Sequence, residues 1–390
     1  MRRAAIVSPV RTPSGFAGGA VAAVPPWRLA AAAIAGAVGR AELDVARVDE
    51  VVLAGPPGVA RPAALGAGLP SALAGFEVGA GDGLSALIVA ATMVHAETAA
   101  VVVAGGVHDT VPAETALAAA DPAHAERLAE RYHLERTDSD EFALGSRRRA
   151  ARAWRQGIFD AEIVPVVAAA PDELRHRSES AVPHLVGRDE QSRADMSTRA
   201  LTSLAPLLPG GVLTAAAVGV PGAGAAACLL VAEDRLVDLG LEPLAYVTDW
   251  AAAGTDGSTP AVAAAVAKLL SRNGLSLDDI DLLEVAERSA VEVLALTRHF
   301  GRHDLDTVNV NGGALALGDP GAATGARMTA TLLHELARRG GAYALVAADS
   351  AADRGVAMLF ESSAAAPAAN TPRGARFHGL RSRRSGRHRA

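Results

Sequence analysis

The stretch GDPGAATGARMTATLLHELARRGGAYALVAA, residues 318–348, reads as a Gly-rich turn, a helix, a short loop and an apolar strand. The same order recurs in GAGDGLSALIVAATMVHAETAAVVVAGG, residues 79–106. Two similar halves, each with a Gly-rich turn at a helix N-terminus, predict a pseudo-twofold α/β protein with a site between them. Outward from these repeats, short β-rich runs alternate with longer Ala-rich helical stretches, the pattern of α/β layers. Strands are expected at 4–8, 50–54, 100–104, 212–216, 226–232, 245–250, 282–286, 307–310, 342–347 and 356–361. Helices are expected at 27–41, 84–97, 121–132, 138–156, 260–273 and 325–339. Capping-box-like starts fall at Thr137-Asp138-Ser139-Asp140 and Ser276-Leu277-Asp278-Asp279. The polar, helical segment from about 107 to 211 reads as an insertion between two strands of the first half, giving halves at 1–235 and 236–363. Residues 364–390 hold seven arginines and no acid, which predicts a disordered tail.

The chain has 390 residues and a formal charge of −6; 50% of it is hydrophobic and 21% charged, so a well-buried body is expected. Aromatics at 3% disfavour base-stacking surfaces and aromatic cages. Lys268 is the one lysine among 37 basic residues, which reads as codon bias, and nucleic-acid binding is disfavoured. The single cysteine excludes an internal disulfide framework and a Cys-rich metal site. No apolar run reaches the roughly 18–20 residues of a membrane span, and the N-terminal residues read as a first strand rather than a signal peptide. A cytoplasmic protein is the expectation.

Several stretches carry a family resemblance. The opening Ile6-Val7-Ser8-Pro9-Val10-Arg11-Thr12-Pro13-Ser14-Gly15 is one, and Val101-Val102-Val103-Ala104-Gly105-Gly106 is another. Asp140-Glu141-Phe142-Ala143-Leu144 and Gly157-Ile158-Phe159-Asp160-Ala161-Glu162-Ile163-Val164-Pro165 follow in order. The strongest is Val308-Asn309-Val310-Asn311-Gly312-Gly313-Ala314-Leu315-Ala316-Leu317-Gly318, continuing through Gly325-Ala326-Arg327. Over residues 1–363 the chain resembles the thiolases, the acetyl-CoA acetyltransferases and 3-ketoacyl-CoA thiolases. The resemblance implies a five-layer αβαβα fold of two similar halves with an inserted loop domain, here shortened after Gly106, and assembly as dimers or tetramers.

Thiolases pass an acyl group through a cysteine thioester, because a thiolate is both a good nucleophile and a good leaving group. The family's Cys-Gly-Ser-Gly-Leu corresponds here to Ala80-Gly81-Asp82-Gly83-Leu84, so Ala80 stands at the nucleophile's position. The Gly-His-Pro motif reads Gly318-Asp319-Pro320, the second cysteine falls on Asp349, and the oxyanion Asn of Asn-Glu-Ala-Phe is Ala286. A pantetheine-contacting Ser is replaced by Gly219. Cys228, in the apolar run 225–231, reads as a core cysteine. The expectation is a homologue without intact catalytic residues, requiring no cofactor. It would bind acyl-CoA or act as a non-catalytic partner, as a homodimer or in a hetero-oligomer with an active thiolase. One alternative is a retasked acyl-thioester enzyme using Asp82, Asp319 and Asp349, with Glu287 close by; no metal-ligand spacing marks them. The other is acetyl-CoA acetyltransferase chemistry by an unrecognised route. His108 reads as a solvated loop histidine, and 15–19 and 219–224 as turns of the scaffold.

Overall fold

Strands β1 (Ala4–Arg11), β2 (Glu50–Ala54), β3 (Phe76–Glu77), β4 (Val101–His108) and β5 (Gly224–Ala232) form the first half of a nine-stranded sheet. The second half is β6 (Ala245–Gly254), β7 (Leu282–Val285), β8 (Tyr343–Ser350) and β9 (Arg354–Ser362), and the order across both is β3-β2-β4-β5-β1-β6-β9-β8-β7. The computed structural model describes residues 2–79, 83–109, 121–168, 184–190, 197–350 and 354–365. The pairing pattern repeats between the halves. β2 runs parallel to β4, which is antiparallel to β5, which is antiparallel to β1. Likewise β7 runs parallel to β8, which is antiparallel to β9, which is antiparallel to β6. The halves join where β1 meets β6, at Ala5↔Tyr246 and Ile6↔Ala245. The repeat legible in the sequence is thus a repeat of topology.

Helices α1 (Pro26–Arg40) and α2 (Ala60–Gly66) cover the outer face of the first half, and α3 (Leu84–His95) its inner face. After β4 the chain leaves the sheet, and this insertion carries α4 (Pro122–Arg131) and α5 (Arg136–Arg155). In the second half α6 (Ala263–Asn273) and α7 (Ala290–His299) lie outside, and α8 (Thr324–Arg339) lies beside α3 in a shared middle layer. These are the five layers. Strand periodicity sorts the side chains: in β5, Leu229 and Val231 join the outer core with Leu29 and Ile34, while Cys228 and Leu230 join the middle core with Leu87 and Met328.

Two expected strands do not form. At 212–216 the Glu126 carboxylate of α4 accepts from the N–H groups of Val212 (2.9 Å) and Leu213 (3.0 Å), and the chain turns through the 3₁₀ helix Ala215–Ala217. At 307–310 only Val308 bridges to Leu283, because Asn309 takes a left-handed conformation (φ 45°) that breaks the extended run. Helices α2 and α7 were not expected; Ser289 caps α7, its Oγ accepting from Glu292 N at 3.2 Å. The box at Ser276 forms, around a 3₁₀ turn. The other shifts two residues: Glu135 N donates to Asp138 at 2.8 Å, while Asp140 accepts from Arg136 at 2.7 Å.

Charged side chains are buried at several points. Arg11, fully buried, donates to Glu162 (2.5 Å) and Asp189 (2.7 Å), tying the insertion to β1. Glu284 in β7 is buried near Arg327 of α8; burial pushes its carboxyl up to about 8, the guanidinium only partly offsetting this. A close backbone approach lies at the middle layer, where a Cβ on Gly106 would stand 2.1 Å from Ala322 O and one on Gly83 2.7 Å from it.

Two predictions follow from these contacts. Gly106→Ala should destabilise the protein by about 3 kcal/mol or more in urea unfolding, because backbone cannot move aside as a side chain can. Gly39→Ala, at an exposed helical glycine with nothing within 4 Å, should instead stabilise by about 0.5–1 kcal/mol. The second concerns Glu284. Its raised folded pKa means the native state holds a proton that the unfolded chain has released above the ordinary carboxylate range. Its contribution to stability is therefore lost as pH rises toward about 8. Glu284→Gln should reduce the fall in stability between pH 5.5 and 8.5, measured by urea unfolding. The slope should not vanish, because the Glu292 carboxyl is raised as well.

Candidate functional site

The site is built on the segment that follows α7 and leads into α8. Asn309, kinked out of extended geometry, substitutes its side chain for a strand partner: its Oδ1 accepts from Val285 N at 2.8 Å, and its Nδ2 donates to Val285 O at 2.9 Å. The same Nδ2 donates to Glu287 Oε1 at 2.9 Å. Glu287 is fully buried and also accepts from Ser146 Oγ (2.8 Å) and Leu315 N (3.0 Å). Ser146 Oγ in turn accepts from Gly313 N at 3.1 Å. One carboxylate thus pins α5 of the insertion, the Gly312-Gly313 turn and the helical turn Ala314–Leu317. Both Glu287 oxygens are occupied by this work.

The loop then runs through Gly318-Asp319-Pro320. Its backbone is clamped: Gly222 N donates to Asp319 O at 2.7 Å, and Asp319 N donates to Val220 O at 2.6 Å. The Asp319 side chain starts α8, its Oδ1 accepting from Gly321 N (3.0 Å) and Thr324 Oγ1 (2.5 Å). His108, the last residue of β4, packs its ring on Gly321. Burial holds this imidazole below the ordinary histidine range, and Asp319 and Asp109 pull it partly back. His108 is therefore a mostly buried strand-end residue, not the solvated loop histidine expected.

Asp349, near the end of β8, forms an ion pair with Arg288 and lies opposite Gly355. Glu292 of α7 sits beside this pair. Burial and the Asp349 charge push its carboxyl up, with Arg288 opposing, and its Oε2 has no hydrogen-bond partner among the described residues. Ala286 follows β7, its N–H donating to Ala347 O at 2.9 Å. At Gly219 a Cβ would stand 2.5 Å from Glu287 O, so the backbone leaves no room for a serine there. Gly15 and Ala223 exchange backbone hydrogen bonds of 2.9 Å in both directions, joining the two Gly-rich runs as scaffold. Ala80, Asp82 and the 366–390 part of the Arg-rich tail lie outside the described residues.

Cys228 is buried within β5, and burial pushes its thiol up to about 12. Of the other histidines, His299 bonds Tyr132 Oη (2.9 Å) and His334 donates to Pro9 O (2.9 Å). Among the described residues, no three His, Cys, Asp or Glu side chains are grouped to hold a metal ion. Likewise no described helix is long and apolar enough to cross a membrane. Sequence reasoning missed Ser146, Asn309 and Glu292, and misplaced His108. The available signal for His108 was the unbroken apolar run before it, had Gly105-Gly106 been read as strand.

Comparison with known proteins agrees with this architecture. The thiolase N-terminal domain model matches residues 4–120 and 117–234, and the thiolase C-terminal domain model matches 241–362. The acetyl-CoA acetyltransferase of Escherichia coli K12 is 33% identical, over 93% of this chain and 99% of its own length. The beta-ketoadipyl-CoA thiolase of Acinetobacter baylyi is 33% identical, over 93% of this chain and 100% of its own length. The crystal structure of Bacillus anthracis acetyl-CoA acetyltransferase superposes with a TM-score of 0.85 at 31% identity, covering 93% of this chain and 99% of that one. Human mitochondrial 3-ketoacyl-CoA thiolase in complex with CoA superposes with a TM-score of 0.84 at 26% identity, covering 93% and 98%. The repeated topology, the five layers and these matches along nearly the whole chain make it a member of the thiolase family, an acetyl-CoA acyltransferase-like protein by descent.

Proposed function

We propose that this chain binds an acyl thioester of coenzyme A but does not pass the acyl group through a cysteine. The observation that carries the reading is Cys228. It is the chain's one cysteine, it is buried inside β5, and its thiol is held at about 12. At pH 7 such a thiol stays protonated, and no acyl-CoA carbonyl could reach it inside the strand. Loss of the nucleophile from a covalent-catalysis unit can cost roughly 10⁶-fold in rate. The substitutions at Ala80, Ala286, Asp319 and Asp349 support the same reading. Binding of coenzyme A is supported by the solved relative that holds it. Gly219 would offer such a ligand backbone rather than a hydroxyl. The protein would work as a homodimer or in assembly with an active thiolase.

A second reading, acid–base chemistry on a bound thioester, is favoured by one observation: an imidazole, His108, beside the Asp319 loop. The other described carboxylates lend it less. Glu287 is filled with hydrogen bonds and Asp349 is paired with Arg288.

The test is an assay of the full chain with acetoacetyl-CoA plus CoA, and with acetyl-CoA alone, read by mass spectrometry beside calorimetric binding of CoA. We expect binding, no thiolysis and no condensation. Cys228→Ala should change neither result, and iodoacetamide should label Cys228 only after unfolding. Thiolytic turnover abolished by Cys228→Ala would overturn the proposal.

A further inference from the structure

The His108 ring is held by a contact that only glycine permits. A Cβ built on Gly321 would stand 2.7, 2.7 and 2.8 Å from three ring carbons of His108, so Gly321 faces the plane of the imidazole. Any side chain at 321 would expel the ring. Gly321 also adopts φ 41° and donates its N–H to Asp319 Oδ1 at 3.0 Å. One residue therefore touches both the imidazole and the carboxylate. The ring nitrogens of His108 make no hydrogen bond among the described residues, which leaves a lone pair free. Burial keeps the ring neutral near pH 7, while Asp319 and, more weakly, Asp109 favour its protonated form. A neutral imidazole backed by a carboxylate is the equipment of a general base.

We infer that His108 is a general base of this site, seated by Gly321 and supported by Asp319, and that it activates water against an acyl thioester of coenzyme A. The inference rests on the acyl-CoA reading above. Water is the nucleophile because the chain's one thiol is sealed in β5. In the step, a water proton passes to the imidazole as the water oxygen bonds to the thioester carbonyl carbon. The C–S bond then breaks, and the departing thiolate takes the proton back from the imidazolium. Acyl-CoA and water become a carboxylic acid and the CoA thiol. Asp319 stabilises the imidazolium that forms midway.

The experiment measures thiol release from acetyl-CoA and from a longer saturated acyl-CoA between pH 5.5 and 9. It compares the full-length protein with His108→Gln, His108→Asn and Asp319→Asn. Asp319→Asn keeps an Oδ1 acceptor for Gly321 N–H and Thr324, so the turn into α8 survives. The expected result is thiol release by the wild type and a roughly 100-fold or greater loss in both His108 variants, with thioester binding retained in calorimetry. In Asp319→Asn the His108 resonance should titrate at lower pH by NMR, and the acidic limb of the rate profile should move the same way. Thioester binding without thiol release, or release unchanged in both His108 variants, overturns the inference and leaves the binding proposal standing. A His108 titration unmoved by Asp319→Asn overturns the pairing even if a His108 variant fails to fold. Absence of binding overturns the underlying proposal as well.

Discussion

The carbonyl of Ala322 rests on the backbones of Gly83 and Gly106, at distances where a Cβ would stand 2.7 and 2.1 Å away. This single meeting point brings together the start of α3, the interior of β4 and the entry to α8. Gly105, next along β4, faces the other way, where a Cβ would stand 2.0 Å from Ala226 O of β5. Neighbouring glycines thus serve opposite faces of one strand, as the two-residue period of a strand requires. With the loop seated this closely, Asp319 and Gly321 are delivered to the end of β4, where His108 waits. The two halves are consequently coupled through backbone, and the site inherits its geometry from this close contact.

What each carboxylate in this region does is set by its neighbours rather than by its position in a motif. Glu287 receives donors from α5, from Asn309 and from the turn after Gly313, and it behaves as a buried rivet. Removing it would leave several buried donors unmatched at about 1–3 kcal/mol each. Asp349 meets the guanidinium of Arg288, and Glu292 lies against the same pair with its proton held more tightly. Asp319 differs from these. Its Oδ1 serves the local turn, while its charge reaches the imidazole across Gly321. The electrostatic asymmetry among these side chains, and not their number, points to the strand-end histidine.

The sequence showed the architecture clearly and the site only partly. Apolar runs in the paired strands and the Gly-helix-strand repeat translate directly into topology, since burial on both faces leaves little freedom. β2 falls where it was read, and β4 starts within one residue of its reading. The misreadings have local causes. Residues 212–216 carry strand-like residues, but Glu126 of α4 takes their N–H groups. Residues 307–310 look extended until Asn309 bends and pairs through its own amide. Gly105-Gly106 reads as a strand end, and that reading stranded His108 in a loop. Each depends on a partner distant in the chain, which no local pattern encodes.

On the proposed reading, the fold does not rest on the positions where the family's catalytic residues are expected. The contacts that hold the loop in place, Ala322 on Gly106, Asn309 on Val285 and Glu287 on Ser146, involve none of the substituted positions. The substituted positions add support of their own. An aspartate at 319 accepts from Gly321 N and Thr324 Oγ1 through a single oxygen, and so holds the turn that leads into α8. A carboxylate at 349 in a largely buried setting would be costly alone, and Arg288 offsets that cost. The residue type that defines the family's chemistry remains in the chain, but in a strand interior where desolvation silences it. If the proposed reading holds, stability and thiol chemistry have separated in this chain, with the imidazole of His108 set beside the Asp319 loop.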